Sequence, residues 1–207
     1  MSLVRQHNPL GNVIIRQLGD AGGPRSDWTA DEINNLITWA AVAPRNIHRN
    51  LAATGTVTTG LDNLHSFSLP ANSLQADGDY LRVRYGGTFA TNDSDKRIQI
   101  NFDGQVVNNS TLFDIDSGSW LYDIIYARVS STSVRASVVF MWGNINRDGG
   151  GTVGGNGAFS GSLVTVTVAN LNNNAVTLLV QGESNASVGT GTDDVVQNLS
   201  IIELTQQ

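Results

Sequence analysis

Apolar and polar residues alternate one for one along most of this chain, and the alternation stops and restarts at turn residues. His65-Ser66-Phe67-Ser68-Leu69 alternates and breaks at Pro70. Tyr80-Leu81-Arg82-Val83-Arg84-Tyr85 breaks at Gly86-Gly87, and Arg97-Ile98-Gln99-Ile100-Asn101-Phe102 breaks at Asp103-Gly104. Period two places Leu81, Val83 and Tyr85 on one face of a pleated strand and Arg82 and Arg84 on the other. One buried and one wet face is the antiparallel pattern. The device recurs in Trp120 to Val129 and Ser133 to Trp142, with the hairpin-length Ser130-Ser131-Thr132 between them. Leu163 to Ala169, Ala175 to Gln181 and Val195 to Leu204 complete the set. Roughly eight or nine strands without an interleaved helix predict an all-β antiparallel sandwich. Greek-key closure of eight strands is a jelly roll, which protects its sheet edges.

Ahead of this pattern the chain reads differently. Val13-Ile14-Ile15 is a short apolar patch between Gly11-Asn12 and Leu18-Gly19-Asp20, and Ala21-Gly22-Gly23-Pro24 is loop chemistry. The expectation is an extended arm, which cannot bury its own apolar residues and is either disordered alone or docked on a partner. One short α-helix is predicted over about residues 30–42. Thr29-Ala30-Asp31-Glu32 forms a capping box, with negative charge where the helix dipole favours it. Ile33, Leu36, Ile37 and Ala40 make an apolar stripe with Trp39 at its edge, and Pro44 ends the helix. About three and a half turns are too few for stability in isolation, so the stripe needs the β domain or copies of itself. Residues 45–60 read as a polar, Thr- and Gly-rich connection. The division is residues 1–60 for anchoring and assembly and 61–207 for the jelly roll. Val13, Ile14 and Ile15 are the expected docking residues, and Ile33, Leu36, Ile37 and Trp39 the expected assembly contact.

Composition narrows the partners. Only 14% of the 207 residues are charged, so solubility rests on Asn, Ser, Thr and Gly. A net charge of −6 with 12 scattered basic residues argues against nucleic acid, because phosphate contacts need clustered Lys and Arg. Cysteine is absent, which removes disulfides, zinc-thiolate sites and thiol catalysis. No apolar run approaches the ~20 residues of a membrane helix, and no membrane insertion is expected. Met1 to Pro9 lacks the apolar core of a signal peptide, so synthesis in the cytoplasm is expected.

Candidate chemistry is sparse. His7, His48 and His65 fall in an arm, a linker and a strand start, and no Gly-x-Ser-x-Gly elbow or Ser-x-x-Lys motif accompanies them. The protein is read as not an enzyme. Asp93-x-Asp95, Asp114-x-Asp116 and Asp193-Asp194 are carboxylate pairs of the hard-oxygen kind calcium prefers. Short Asp pairs are more often turn residues bonded to their own backbone, so neither metal nor cofactor is assigned. Gly149-Gly150-Gly151 lacks the Lys of a phosphate loop. Trp120, Trp142, Tyr122 and Tyr126 could face a glycan, but Trp120, Tyr122 and Tyr126 share one strand face with Ile124 and fit a buried stripe better. A ligand loop is expected over residues 144–157, with Asn144, Asn146, Arg147 and Asp148 as the candidates.

Three local patterns carry a family likeness. Phe67-x-Leu69-Pro70-x-Asn72-x-Leu74 leads into Gly78-Asp79-x-Leu81-Arg82-Val83; Lys96-x-Ile98-x-Ile100-x-Phe102-x-Gly104 runs on toward Trp120, Asp123, Ile125 and Arg128; Asn198 to Leu204 closes the chain. Residues 61–207 thereby resemble the jelly-roll domain of tailed-bacteriophage virion surface proteins, the capsid decoration and tail fibre type. The resemblance implies a homotrimer with a structural or adhesive role and no catalytic residues. With the layout of the first 60 residues, it implies a virion-surface location, the arm gripping the major capsid protein or another virion protein. The expected roles are capsid decoration, cement or head fibre. The alternatives are a tail-fibre receptor-binding module for a host-surface glycan, and a free carbohydrate-binding protein.

Overall fold

Each alternating run forms a strand in the computed structural model, which describes residues 2–7, 13–18, 44–58, 60–92, 94–110, 113–114, 117–147, 151–152, 158–184 and 193–206. In chain order the strands are β1 (Ser2–His7), β2 (Val13–Leu18), β3 (Arg45–Asn50), β4 (Thr54–Gly55), β5 (Asp62–Leu69), β6 (Tyr80–Phe89), β7 (Asp95–Phe102) and β8 (Gln105–Asn109). They continue with β9 (Phe113–Asp114), β10 (Ser117–Ser130), β11 (Ser133–Arg147), β12 (Gly151–Thr152), β13 (Ala158–Thr167), β14 (Val176–Ser184) and β15 (Val195–Thr205).

All pairings among the described residues are antiparallel. The large sheet has the order β12-β11-β10-β6-β15-β3, with β13 also on β11 and β4 also on β15. The small sheet has the order β5-β14-β7-β8, with β9 also on β7. The chain passes from β3 in the large sheet to β5 in the small one and back to β6. It then passes to β7 and β8, to β10, to β14 and finally to β15. The spatial orders β3-β15-β6-β10 and β5-β14-β7-β8 are those of a jelly roll, two Greek keys closed on each other. The β11–β13 segment is inserted before β14 and widens the large sheet beyond β10.

The core lies between the sheets. Leu81, Val83 and Tyr85 from β6, and Trp120, Tyr122, Ile124 and Tyr126 from β10, face Ile98, Ile100 and Phe102 from β7 and Leu178 and Val180 from β14. Phe102 and Tyr126 meet across the layers with ring centroids 4.5 Å apart. Each such side chain contributes about 1.5–3 kcal/mol by leaving water. Trp120, Tyr122 and Tyr126 are therefore core, as their shared face predicts. At Gly87 a Cβ would stand 1.7 Å from the Val196 carbonyl oxygen and 2.8 Å from Trp120 Cζ2, so only glycine lets β6 lie this close to β15 and the indole. Between β7 and β8, Asp103 (φ 51°) and Gly104 (φ 75°) both adopt left-handed backbone, the Asp-Gly hairpin turn whose twist matches the strands. At one end of the sandwich Arg128 is buried. Its Nη1 donates to the Leu74 carbonyl at 2.5 Å and to Asn172 Oδ1 at 2.6 Å, and its Nε to Asp77 Oδ1 at 3.1 Å.

Three expectations for the first 60 residues fare differently. Residues 45–60, expected as a linker, instead supply β3 and β4, and β3 is the first strand of the jelly roll. Ile47, the one apolar residue of β3, packs against the core while Arg45, Asn46 and Arg49 stay exposed, so the pattern of an edge strand passes for a polar connection. The extended arm is in part a hairpin. β1 and β2 pair from Ser2↔Leu18 to His7↔Val13, so backbone groups that a lone extended segment leaves to water bond each other. The helix expected near residues 30–42 lies outside the described residues.

Candidate functional site

The residues singled out from the sequence do not gather into one site. Val13, Ile14 and Ile15 lie on β2 opposite His7, Gln6 and Arg5. Ile33, Leu36, Ile37, Trp39 and Asp148 lie outside the described residues. Asn144, Asn146 and Arg147 are not in a loop: β11 continues to Arg147, with Asn146 opposite Thr152 and Arg147 opposite Gly151. Asn144-Ile145-Asn146 keeps the polar–apolar–polar alternation after Gly143, and the ladder to β10 and β12 extends the strand through it. Of the carboxylate pairs, Asp194 is buried and accepts hydrogen bonds from Ser184 Oγ and from Asn92 Nδ2, and the Asn92 side-chain oxygen in turn accepts from Lys96 Nζ at 2.8 Å. Asp194 holds strand ends together.

Three features carry no sequence motif. The first is the outer face of the large sheet. Arg82 grips Asp123 with two bonds, Nε to Oδ1 at 3.0 Å and Nη2 to Oδ2 at 2.6 Å, while Arg84 lies 3.9 Å from Asp123 and 3.7 Å from Glu203. The Asp123 carboxylate raises the Arg82 pKa. Around this network Ile125, Val129, Val139 and Leu163 are exposed, Leu163 at 68%. The cross-strand register places Ile125 and Leu163 on either side of Ser137. Leu163 belongs to β13, which runs AFSGSLVTVT without a charge or a proline. β13 pairs with β11 from Ser133↔Thr167 to Trp142↔Ala158 without a register shift, and among the described residues nothing pairs with its other edge. Sheets ordinarily blunt such an edge with charge, proline or a bulge.

The second feature is the outer face of the small sheet, which carries a ladder of amides. Gln181 Nε2 donates to Asn63 Oδ1 at 3.0 Å, and Gln181 Oε1 accepts from Asn101 Nδ2 at 2.9 Å and Gln99 Nε2 at 3.2 Å. The Arg97–Glu183 ion pair flanks it.

The third lies where the edge strands β3 and β5 approach each other from opposite sheets. His48 Nε2 and His65 Nε2 are 3.0 Å apart, and the Phe67 ring lies tilted against His48 with centroids 4.6 Å apart. Burial lowers both imidazole pKa values, and at His65 the neighbouring His48 adds to the effect. Both rings are neutral at neutral pH.

No family model matches the chain, and no curated protein matches it. Among solved structures the chain is similar to the CBM2 module of the evolved Dit of Lactobacillus casei BL23 phage J-1, at 14% identity and a TM-score of 0.32 over 69% of each chain. That likeness is slight.

Proposed function

We propose that this chain is a bacteriophage virion surface protein: a homotrimeric jelly roll, held to capsid or tail by its N-terminal residues, that decorates or cements the shell. The observation that carries the reading is the uncharged edge of β13 beside the exposed apolar residues Ile125, Val139 and Leu163. A chain that works alone guards such an edge, and a chain that works in an assembly covers it. A closed trimer uses heterologous contacts, so this edge meets a different surface of the next copy. The resemblance of residues 61–207 to virion jelly rolls points the same way.

The amide ladder on the small sheet favours a second reading, a tail-fibre module that adheres to a host glycan. Both readings leave that face outward. Light scattering of the full chain, with antibody labelling of particles, tests the proposal. A trimer labelled over the shell is the expected result, and label at the tail tip transfers the protein to the second reading. A monomer that binds a glycan array overturns the assembly and leaves a free carbohydrate-binding protein.

A further inference from the structure

His48 and His65 come from the first strands of the two sheets, and both side chains enter the space between them. His48 stands opposite Ile202, whose side chain is fully buried, and His65 opposite the equally buried Val180. Their positions are set by the sandwich itself: β15 holds β3, β14 holds β5, and the Phe67 ring packs against His48. His65 is almost wholly buried, at 8% exposure, while His48 keeps an open side at the sandwich edge.

The direct contact uses one proton, which one Nε2 donates to the lone pair of the other. A cation in place of that proton would be held by both lone pairs. Two imidazole nitrogens on one zinc ion, each at about 2.0–2.1 Å and at about 90–110° to each other, are about 2.8–3.4 Å apart. The observed 3.0 Å lies inside that interval, so the two nitrogens already stand at a separation that one shared ion can span. Among the described residues no group of three or more His, Cys, Asp and Glu side chains could hold a metal, so an ion at this pair would have two protein ligands and take the rest from water. Two neutral imidazoles without carboxylates select nitrogen-preferring ions over calcium and magnesium.

We propose that His48 and His65 form a two-imidazole site for a late first-row divalent ion such as zinc, copper(II) or nickel(II), its coordination completed by water. The bound ion staples the first jelly-roll strand, β3, to the opposite sheet at β5. This inference is independent of the assembly reading, since it concerns one chain.

The test titrates zinc chloride into the chelator-treated full chain by calorimetry, alongside thermal melts and imidazole nitrogen NMR. The expected result is one zinc per chain, a rise in Tm that EDTA reverses, no rise with magnesium, and shifted Nε2 signals of His48 and His65. Losing even an outer-shell partner of a metal costs about 10–100-fold in affinity, so His48→Gln and His65→Gln each weaken binding about tenfold or more. His7→Gln, which changes the third histidine, leaves it unchanged. His48 lies at a half-exposed edge, so its variant folds even where the His65 variant does not. The NMR shifts need no variant at all. No heat and no shift at millimolar zinc, binding that survives His48→Gln, or shifts confined to His7 each overturn the proposal.

Discussion

On the outer face of the large sheet, Ile125, Val139 and Leu163 stand exposed around the Arg82–Asp123 pair, and β13 offers a long edge with no charge on it. On the small sheet the corresponding face carries Asn63, Gln99, Asn101 and Gln181 bonded to one another, and its edges are guarded. β5 and β8 each carry a register shift, and β8 has only 5 residues. The inner faces follow one rule, apolar against apolar, because they share a core. The outer faces share nothing, so their difference reports what each must meet. Fixed amides tolerate water and polar ligands at no cost in solubility. An apolar face beside an open ladder does not, and it is the surface a neighbouring copy would cover.

The largest effect comes from what the sheets share. Phe102→Ala removes a ring packed against Tyr126 from the middle of the sandwich, and a cost of about 3–5 kcal/mol is expected in urea unfolding. Both sheets should lose structure in one transition. Separate transitions would mean that the two faces belong to units that fold apart, and the comparison between them would lose its basis.

Next comes Arg128, which bridges the segment before β6 to the segment before β14. Arg128→Ala gives up charged hydrogen bonds to the Leu74 carbonyl and to Asn172, and a loss of about 2–3 kcal/mol is expected. Asp77→Ala should change stability by no more than about 0.5 kcal/mol, because Asp77 is 66% exposed and water screens its pair with the same arginine. Equal losses in the two variants would place the weight on the ion pair instead of the buried carbonyl.

These positions also mark what alternation alone can and cannot reveal. Phe102 and Tyr126 sit in runs whose period of two is enough to assign them to the core. So do Trp120 and Tyr122. The edge strands are opaque for a physical reason: β3 buries little, so Arg45-Asn46-Ile47-His48-Arg49-Asn50 shows one apolar residue and reads as linker. β8, Gln105 to Asn109, is hidden differently: it is short, and its adjacent Val106 and Val107, one exposed and one buried, show no alternation behind the Asp103-Gly104 turn. The His48–His65 contact depends on β3 being a strand and on the packing of one sheet against the other, and neither is local. The end of β11 is hidden by Gly143, where the alternation restarts after a residue that usually stops it.

The amide ladder gives a smaller effect. Gln181→Ala removes the residue to which Asn63, Gln99 and Asn101 all bond, on a half-exposed face. A loss of about 1 kcal/mol is expected, measured by the denaturation midpoint, with the oligomer mass unchanged. A change in mass would put a copy-to-copy contact on the small sheet and reverse the roles assigned to the two faces.

The smallest effect on folding is expected at Leu163, and it discriminates best between the faces. At 68% exposure Leu163 has little to lose, so Leu163→Lys should move monomer stability by no more than about 0.5 kcal/mol. Its charge would stand beside an otherwise uncharged edge, the device by which sheets refuse a neighbour. If the proposed trimer forms, light scattering of Leu163→Lys should therefore show its loss, while Thr177→Lys, at an exposed position on the outer face of the small sheet, leaves the mass unchanged. The pair controls for charge, size and strand context, and differs in which sheet bears the lysine. A trimer that survives Leu163→Lys would remove β13 from the interface and return assembly to the residues before β3. Loss of the trimer in both variants would show that added positive charge, not the choice of face, breaks it.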